Sequence, residues 1–259
     1  LEDDELEIHF RPQISLGTGM FTFIGDVANN HSKGHPTVSR LARDLRISQA
    51  LNPNFDLSFY VLFGQVSSNE RSLQRSLNFN SHITTGGAVV TYNFYHILKP
   101  KRIINPYISS GIESIEFLSK SDLMDANGNV YHYWSDGSIM NMDENDPNAA
   151  NAIELYRDYT YESDLREANL DGFGKYQERT LAIPIDIGAN FHLSDRIKAR
   201  LGTSMHFTFS DLIDNVSDKS EGLRKGDSQN DKLLYTHFAL TYDFSLMTLY
   251  FSYPQHFYF

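Results

Sequence analysis

The chain has 259 residues, a formal net charge of −11, 15 Tyr and 18 Phe against one Trp, and no Cys. Without Cys, disulfides and thiolate metal sites are excluded, and the acidic balance disfavours nucleic acid, whose phosphates need clustered Lys and Arg. No run of 18 apolar residues occurs, which excludes a transmembrane helix, whereas a membrane-spanning strand needs only about ten residues of alternating character.

The start, Leu1-Glu-Asp-Asp-Glu, reads as a mature, processed N-terminus. Residues 13–24 then set Ile14, Leu16, Met20 and Ile24 against Gln13, Ser15, Gly17 and Gly19. This period of two predicts a strand with two different faces. A polar loop at about 26–39 leads to a second strand, where Leu41, Leu45 and Ile47 oppose Ala42, Asp44, Arg46 and Ser48. Asn52-Pro53-Asn54 predicts a turn. Residues 55–65 follow, with Phe55, Leu57, Phe59, Val61 and Phe63 against Asp56, Ser58, Tyr60 and Gly64.

A fourth strand is expected over 77–95, a turn at Lys99-Pro100-Lys101 and a fifth strand over 103–118. The clearest alternation comes later. Leu181, Ile183, Ile185, Ile187, Ala189, Phe191 and Leu193 share one face, and Pro184, Asp186, Gly188, Asn190 and His192 the other. After the tight turn Ser194-Asp195, Ile197, Ala199, Leu201, Thr203, Met205, Phe207 and Phe209 oppose Lys198, Arg200, Ser204, His206 and Thr208. The eighth strand, 233–244, sets Leu234, Phe238, Leu240, Tyr242 and Phe244 against Tyr235, His237, Thr241 and Asp243.

The connections sort by parity. Those after strands 2, 4 and 6 are short, near 49–54, 96–102 and 194–195; those after strands 1, 3, 5 and 7 are longer, near 26–39, 67–75, 120–177 and 211–232. In an up-and-down barrel these two sets lie at opposite ends, as in outer-membrane barrels. The predicted fold is therefore all-β: one domain over 1–259, an eight-stranded antiparallel up-and-down transmembrane barrel with long extracellular loops.

Alternation alone leaves open which face is inside, since a lipocalin has the opposite sense. Two features favour a polar lumen. Charges of both signs sit on the polar face at Asp44, Arg46, Asp56, Asp186, Lys198, Arg200 and Asp243, joined by His206 and His237. Aromatics sit near the strand ends of the apolar face at Phe55, Phe63, Phe191, Phe207, Phe209, Tyr242 and Phe244, as interfacial girdles require. Eight strands enclose a bore just wide enough for side chains, so this lumen should be plugged.

The long loop at about 120–177 is acidic: residues 121–178 hold 13 Asp and Glu against Arg157, Arg166 and Lys175. A structureless loop of this length is unusual, so it is expected to be functional or partly ordered. Asp125, Asn127 and Asn129 offer oxygens suited to calcium, although Asn127-Gly128 equally suits a hairpin turn. Tyr131, Tyr133 and Trp134 are candidate partner anchors. Helical turns are expected after Ser163, as N-cap, and over 148–157.

No His-Glu-x-x-His or Gly-x-Ser-x-Gly motif occurs, and Gly17-Thr-Gly19 suits a crowded lumen better than a dinucleotide. Neither a catalytic group nor a cofactor is expected. Asp211, Asp214, His206 and Ser210 are the residues a rim hydrolase would use.

Leu170-Asp-Gly-Phe-Gly-Lys-Tyr176, Leu181-Ala-Ile-Pro-Ile-Asp-Ile-Gly188, Arg200-Leu-Gly-Thr203 and His206-Phe-Thr-Phe-Ser-Asp-Leu-Ile-Asp-Asn215 resemble small outer-membrane barrels of Bacteroidota, of the PorG-like kind (type IX secretion and gliding) or the OmpA-like kind. As a specific motif the resemblance covers about 165–216. It implies a non-enzymatic scaffold or anchor in the bacterial outer membrane, with outer-membrane lipid and other envelope proteins as partners, and it transfers no catalytic residue. The alternatives are a surface barrel that binds an external ligand through its loops and a rim hydrolase. The tail, Ser245 to Phe259, is expected either to extend strand eight or to lie in the periplasm against a partner.

Overall fold

The computed structural model describes residues 6–10, 12–27, 39–72, 75–94, 103–244 and 247–251. Eight long strands form one sheet: β1 (Pro12–Ile24), β2 (Arg40–Ala50), β3 (Phe55–Asn69), β4 (Asn78–Asn93), β5 (Ile104–Ser121), β6 (Arg179–His192), β7 (Ile197–Thr208) and β8 (Lys232–Asp243). Each pairs antiparallel with its sequence neighbours, and β8 pairs with β1, so the sheet closes with no free edge. The predicted turn at Lys99-Pro100-Lys101, most of the loop at 26–39 and the last residues to Phe259 lie outside the described residues.

The register fixes the bore. From Ser114, successive partners are Gly86, Val61, Leu45, Leu16, Leu240, Ala199, Phe191 and finally Ile104. One circuit thus returns ten residues down the same strand, from 114 to 104, and that stagger tilts the strands by roughly 40°. Pro184 has no N–H to give, and the β5–β6 ladder skips from Ala182–Glu113 to Ile185–Ser110 around it.

Side chains alternate across the wall. Leu16, Phe59, Ile112, Leu181, Ile187 and Leu201 point out, each more than half exposed, while Asp44, Asp186, Glu113 and His206 point in and are buried. Burying a mid-strand carboxylate while exposing Ile is the reverse of a water-soluble barrel. The order follows if lipid is the outer solvent.

The interior is layered. Small polar groups, among them Ser15, Ser58, Thr91, Asn93 and Ser109, fill the turn end; the charged network fills the middle; and Phe21, Phe23, Phe79, Phe117, Ile83, Ile115 and Leu233, all 0–1 % exposed, fill the loop end. This apolar layer departs from the uniformly polar lumen that the sequence suggested. The alternation of side chains runs on unbroken, but the apolar residues change face where this layer begins. On β5, Ile108 and Ile112 face out, then Ile115 and Phe117 face in with Glu116 outside. β4 does the same between Val90 and the pair Ile83 and Phe79. Beyond this point β4 and β5 carry apolar side chains inside, with polar groups such as His82, Thr84 and Glu116 among those outside.

Inward glycines relieve crowding in the polar layers. A Cβ on Gly17 would collide with the Asp44 carboxylate, and one on Gly202 with the Tyr107 hydroxyl.

Three local expectations change. The helix expected after Ser163 is a single turn, α1 (Leu165–Ala168), and its N-cap is Asp164, whose carboxylate accepts from the Arg166 and Glu167 amides at 3.0 Å. The turns expected over 148–157 reduce to a 3₁₀ turn at Ala149–Asn151. Strand eight stops at Asp243; the tail instead forms a two-stranded ribbon, Met247–Phe251 against Leu6–Phe10. Its partner is the chain's own N-terminal segment.

Candidate functional site

Three arrangements carry the chemistry: the lumen network, a carboxylate clasp at the loop end, and a lobe folded from the long acidic loop.

In the lumen, Asp186 is the hub. Its carboxylate accepts from Arg200 Nη2 at 2.9 Å and the Tyr107 hydroxyl at 3.2 Å, meets His237 Nε2 at 3.2 Å, and lies 4.0 Å from Arg46 Nη2. Arg200 also stacks over the Tyr107 ring at 3.6 Å and Arg46 over Tyr60 at 5.1 Å. Tyr235 donates to Asp44 at 2.8 Å. Nearer the turn end, Asn93 donates to Asp56 at 2.7 Å, and Lys198 reaches Asp243 at 3.3 Å. A second hub, Glu113, is 2 % exposed and bonds His206 Nδ1 at 2.7 Å, Thr85 at 2.9 Å and the Tyr60 hydroxyl. The nine sequence-predicted lumen residues are thus all inside the barrel.

Glu113 and Tyr107 escape the sequence reading, while Tyr60 and Tyr235 stand on its polar face without being joined to the charged network. The signal for the first two is the inward parity they share on β5, and that strand's pattern offers no neighbouring charge to mark it. Voids among these groups measure about 10 Å³ beside Asp186 and His206 and about 30 Å³ beside Lys198 and Asp56. Each is enough for one or two waters.

The predicted girdle residues point outward: Phe55, Phe63, Phe207, Phe209, Tyr242 and Phe244 are 38–60 % exposed, and Phe191 is less so. Phe55 packs on Tyr92 at 5.0 Å and Tyr242 on Phe244 at 5.0 Å. These rings lie at the turn end, while Phe63, Phe207 and Phe209 lie at the loop end.

At the loop end Asp26, Asp214 and Asp231, all nearly fully buried, and the half-buried Asp211 meet between the start of the first loop and the last loop. They act as staples. Asp214 accepts the Val27 and Val216 amides at 3.0 Å, Asp231 the Ile213 amide at 2.9 Å, and Asp26 the Asp227 amide at 3.0 Å. One oxygen each of Asp26, Asp211 and Asp231 is buried without a partner among the described residues. The nearby guanidiniums are engaged elsewhere, Arg75 with Glu70 at 2.7 Å and Arg224 with Asp171 at 2.9 Å.

Burial, then mutual repulsion, raises the carboxyl pKa values. Asp211 is pushed up to about 8, with Asp26 and Asp214 as its nearest repelling neighbours. Asp214 rises to about 7 and Asp231 well above the ordinary range.

The loop at 122–178 is a folded lobe. A ribbon pairs His132–Tyr133 with Ile139–Met140, and the next segment joins it through Leu155 N to Ile139 O at 2.7 Å. The Glu162 carboxylate accepts the Leu123 and Met124 amides, and Asp122 accepts the Tyr159 amide at 2.9 Å. Tyr159 and Tyr161 are held at φ 58° and 54°, a left-handed conformation uncommon for bulky residues.

Two expectations here are corrected. Of the proposed anchors, Tyr131 is buried with its hydroxyl on Tyr156 O, and Trp134 Nε1 donates to Met142 O at 2.9 Å. Tyr133 is exposed but carries Arg157 over its ring at 5.2 Å. These rings hold the lobe together, because an aromatic with a polar tip in a small lobe finds its partner internally. The outward positions are Ile153, Tyr156 and Tyr159, at 64, 72 and 52 % exposed. At the suggested calcium loop, both Asp125 oxygens serve the turn, accepting the Asn127 and Asn129 amides at 2.9 and 2.8 Å and the Asn129 side-chain amide at 2.9 Å. Among the described residues, no three His, Asp or Glu side chains converge as a metal ion would require.

The rim-hydrolase residues are not brought together as a nucleophile and base. His206 bonds Glu113 inside the barrel, while Ser210 lies past the end of β7 at Thr208, its Oγ accepting the Leu212 amide at 3.2 Å.

A closed eight-stranded barrel with an apolar outer belt, aromatic rims and a filled lumen is the architecture of the small membrane-spanning barrels of bacterial outer membranes. No protein-family model and no curated protein sequence matches the chain. Solved structures similar to it include Neisserial surface protein A, at 8 % identity and TM-score 0.43 over 91 % of this chain and 97 % of the other. Another is Ail, the attachment invasion locus protein of Yersinia pestis, crystallised with the heparin analogue sucrose octasulfate, at 8 % and 0.43 over 92 % and 100 %. A third is a major outer membrane protein from Thermus thermophilus, at 11 % and 0.42 over 90 % and 99 %. Identities this low carry no residue role across.

Two outcomes follow from the site. Asp186→Ala leaves Arg200 and Arg46 facing each other in a dry bore and should destabilise the barrel by about 3–5 kcal/mol, with Asp186→Asn milder. Urea titration of the heat-modifiable gel shift measures this, and an unchanged midpoint for both variants would show that the hub does not hold the barrel. The clasp should depend on pH. Carboxyls with raised folded values stabilise it fully below their unfolded value of about 4, and that contribution is lost as pH rises through about 7 to 8. Amide-exchange protection at Val27, Ile213 and Asp227, corrected for intrinsic rates, should therefore fall between about pH 4 and 8, and Asp231→Asn should flatten the fall. Equal slopes in both proteins would remove the carboxylates as its cause.

Proposed function

We propose that this chain is a non-enzymatic integral outer-membrane barrel that serves as an anchor or accessory subunit of a cell-envelope complex, and that it meets its protein partner through the folded lobe. One contrast carries this reading. The lumen is filled by side chains, while the lobe holds Ile153, Tyr156 and Tyr159 out into water on a backbone fixed by Asp122 and Arg157. Exposed aromatics on a rigid support are the usual anchors of a protein interface. By the loop-length rule for such barrels, the lobe faces outside and the short turns face the periplasm.

The resemblance over 170–215 supports a finer form, a subunit of the type IX secretion or gliding machinery. A partner would then sit at the periplasmic rim, near the exposed Leu51 and Leu193.

Photo-crosslinking residues placed singly at Tyr156, Tyr159, Leu51 and Leu193 in cells separate these readings. The lobe reading expects discrete protein adducts at 156 and 159 that persist while the barrel remains folded. Adducts at 51 or 193 alone would overturn the lobe as the docking site in favour of the periplasmic rim. A folded barrel with no adduct at any of the four would overturn the anchor role.

A further inference from the structure

Among the described residues, the apolar belt of the outer wall carries a charge that the barrel does not satisfy. Arg43 points outward on β2, between Leu41 and Leu45, both exposed apolar residues of the belt. Arg43 lies two residues, or about 7 Å along the strand, on the membrane side of Leu41. Other outward polar groups at this depth close on the protein: Thr203 bonds Thr236 at 3.1 Å, and Thr18 donates to Ala42 O at 3.1 Å. Among the described residues Arg43 has no hydrogen bond or ion pair. A guanidinium on the lipid face costs free energy that grows with depth, up to roughly 2–4 kcal/mol at the midplane and far less near the interface. Its side chain will therefore reach towards the headgroups.

Above Arg43 the wall opens. The β2–β3 ladder ends at Ala42–Gly64 while β3 runs on to Asn69. The parting leaves a groove of about 620 Å³ that includes Arg40, Leu41, Arg43, Phe63, Gln65 and His82 in its lining. Among the described residues no Asp or Glu lines it, in a chain of net charge −11. The nearest outward carboxylate in the same register row, Glu116, is paired with Arg179 at 3.0 Å. The groove thus carries a guanidinium at its top, where Arg40, its Nε on Ser67 Oγ at 2.8 Å, lies with the polar His82, and is apolar at its base, where Phe63 is 53 % and Leu41 58 % exposed.

We propose that this groove is a binding site for a phosphorylated lipid of the outer leaflet. The phosphate accepts hydrogen bonds from Arg43, with His82 alongside, and the acyl chains lie on Leu41 and Phe63; Arg40, whose Nε donates to Ser67 Oγ at 2.8 Å, adds its charge above. Arg matches a phosphate with two parallel N–H bonds, and the lipid supplies the anion that Arg43 lacks within the protein. The proposal rests on the membrane-barrel reading above. It adds a specific lipid position on one side of the wall, between β2 and β4.

The test uses the full chain folded in nanodiscs of phosphatidylcholine doped with phosphatidic acid of the same acyl chains, with lipids retained after gentle release counted by native mass spectrometry. Heat-modifiable migration of the same samples scores folding. Wild type should retain one phosphatidic acid in about tenfold preference over phosphatidylcholine. Arg43→Leu, which suits the belt, should remove the preference, and Arg179→Gln, a charge loss elsewhere on the wall, should leave it. Loss of the preference on adding millimolar inorganic phosphate would overturn the lipid in favour of a free anion. A folded wild type without preference, or Arg43→Leu with preference intact, overturns the groove alone. A chain that never enters the bilayer overturns the membrane reading first.

Discussion

The constraint on which the structure depends is the exchange of solvents across a single sheet. Lipid outside admits no unpaired polar group, so the wall must be apolar on its outer face. A bore of eight strands admits almost no water, so whatever is polar inside must be paired inside. Asp186 is where this is met most sharply. It has a guanidinium, a phenol and an imidazole on its two oxygens, and a second guanidinium 4.0 Å away. Removing any one of these partners leaves charge with nowhere to go, and this fixes the mid-barrel side chains in one arrangement.

The same constraint explains why the apolar residues change face. Where β5 passes from Ile112 to Glu116 the outer solvent becomes water, and the oily residues, Ile115 and Phe117, move inside. Above that line the barrel is built like a soluble protein, with an aromatic core under the clasp of Asp26, Asp214 and Asp231. One strand is thus written in two alphabets, and the change of parity marks the edge of the apolar belt. Arg43 is of interest because it lies on the wrong side of that edge.

The lower half of the barrel was legible in the sequence because strict alternation there has one cause, lipid on one side. Residues 181–193 and 197–209 show it without interruption, and the segregation of loop lengths supplied strand count and orientation. The upper half was not legible as such. Where the phase changes, apolar residues fall on both parities within a few positions, as at Ile115 and Leu118 or at Met20 and Phe21, and the pattern blurs into noise. The pairing of Glu113 with His206 joins residues 93 apart in sequence and has no local signature. In the lobe, Tyr131 and Trp134 look like anchors by type, yet their polar tips are spent on Tyr156 O and Met142 O. The tail's sequence leaves open an extension of strand eight or a segment lying against a periplasmic partner, because the strand it pairs with, Leu6–Phe10, lies at the far end of the chain.

The layering of the barrel requires the outer face of β5 to cross from lipid to water between Ile112 and Glu116. Because the chain has no Cys, single Cys substitutions at Ile108, Ile112, Ser114, Glu116 and Leu118 can each carry a fluorophore in the reconstituted protein, with brominated lipid and iodide as opposing quenchers. Lipid should quench at 108 and 112, with a crossover near 114, and iodide at 116 and 118. Iodide access at all five positions, with no response to brominated lipid, would contradict it.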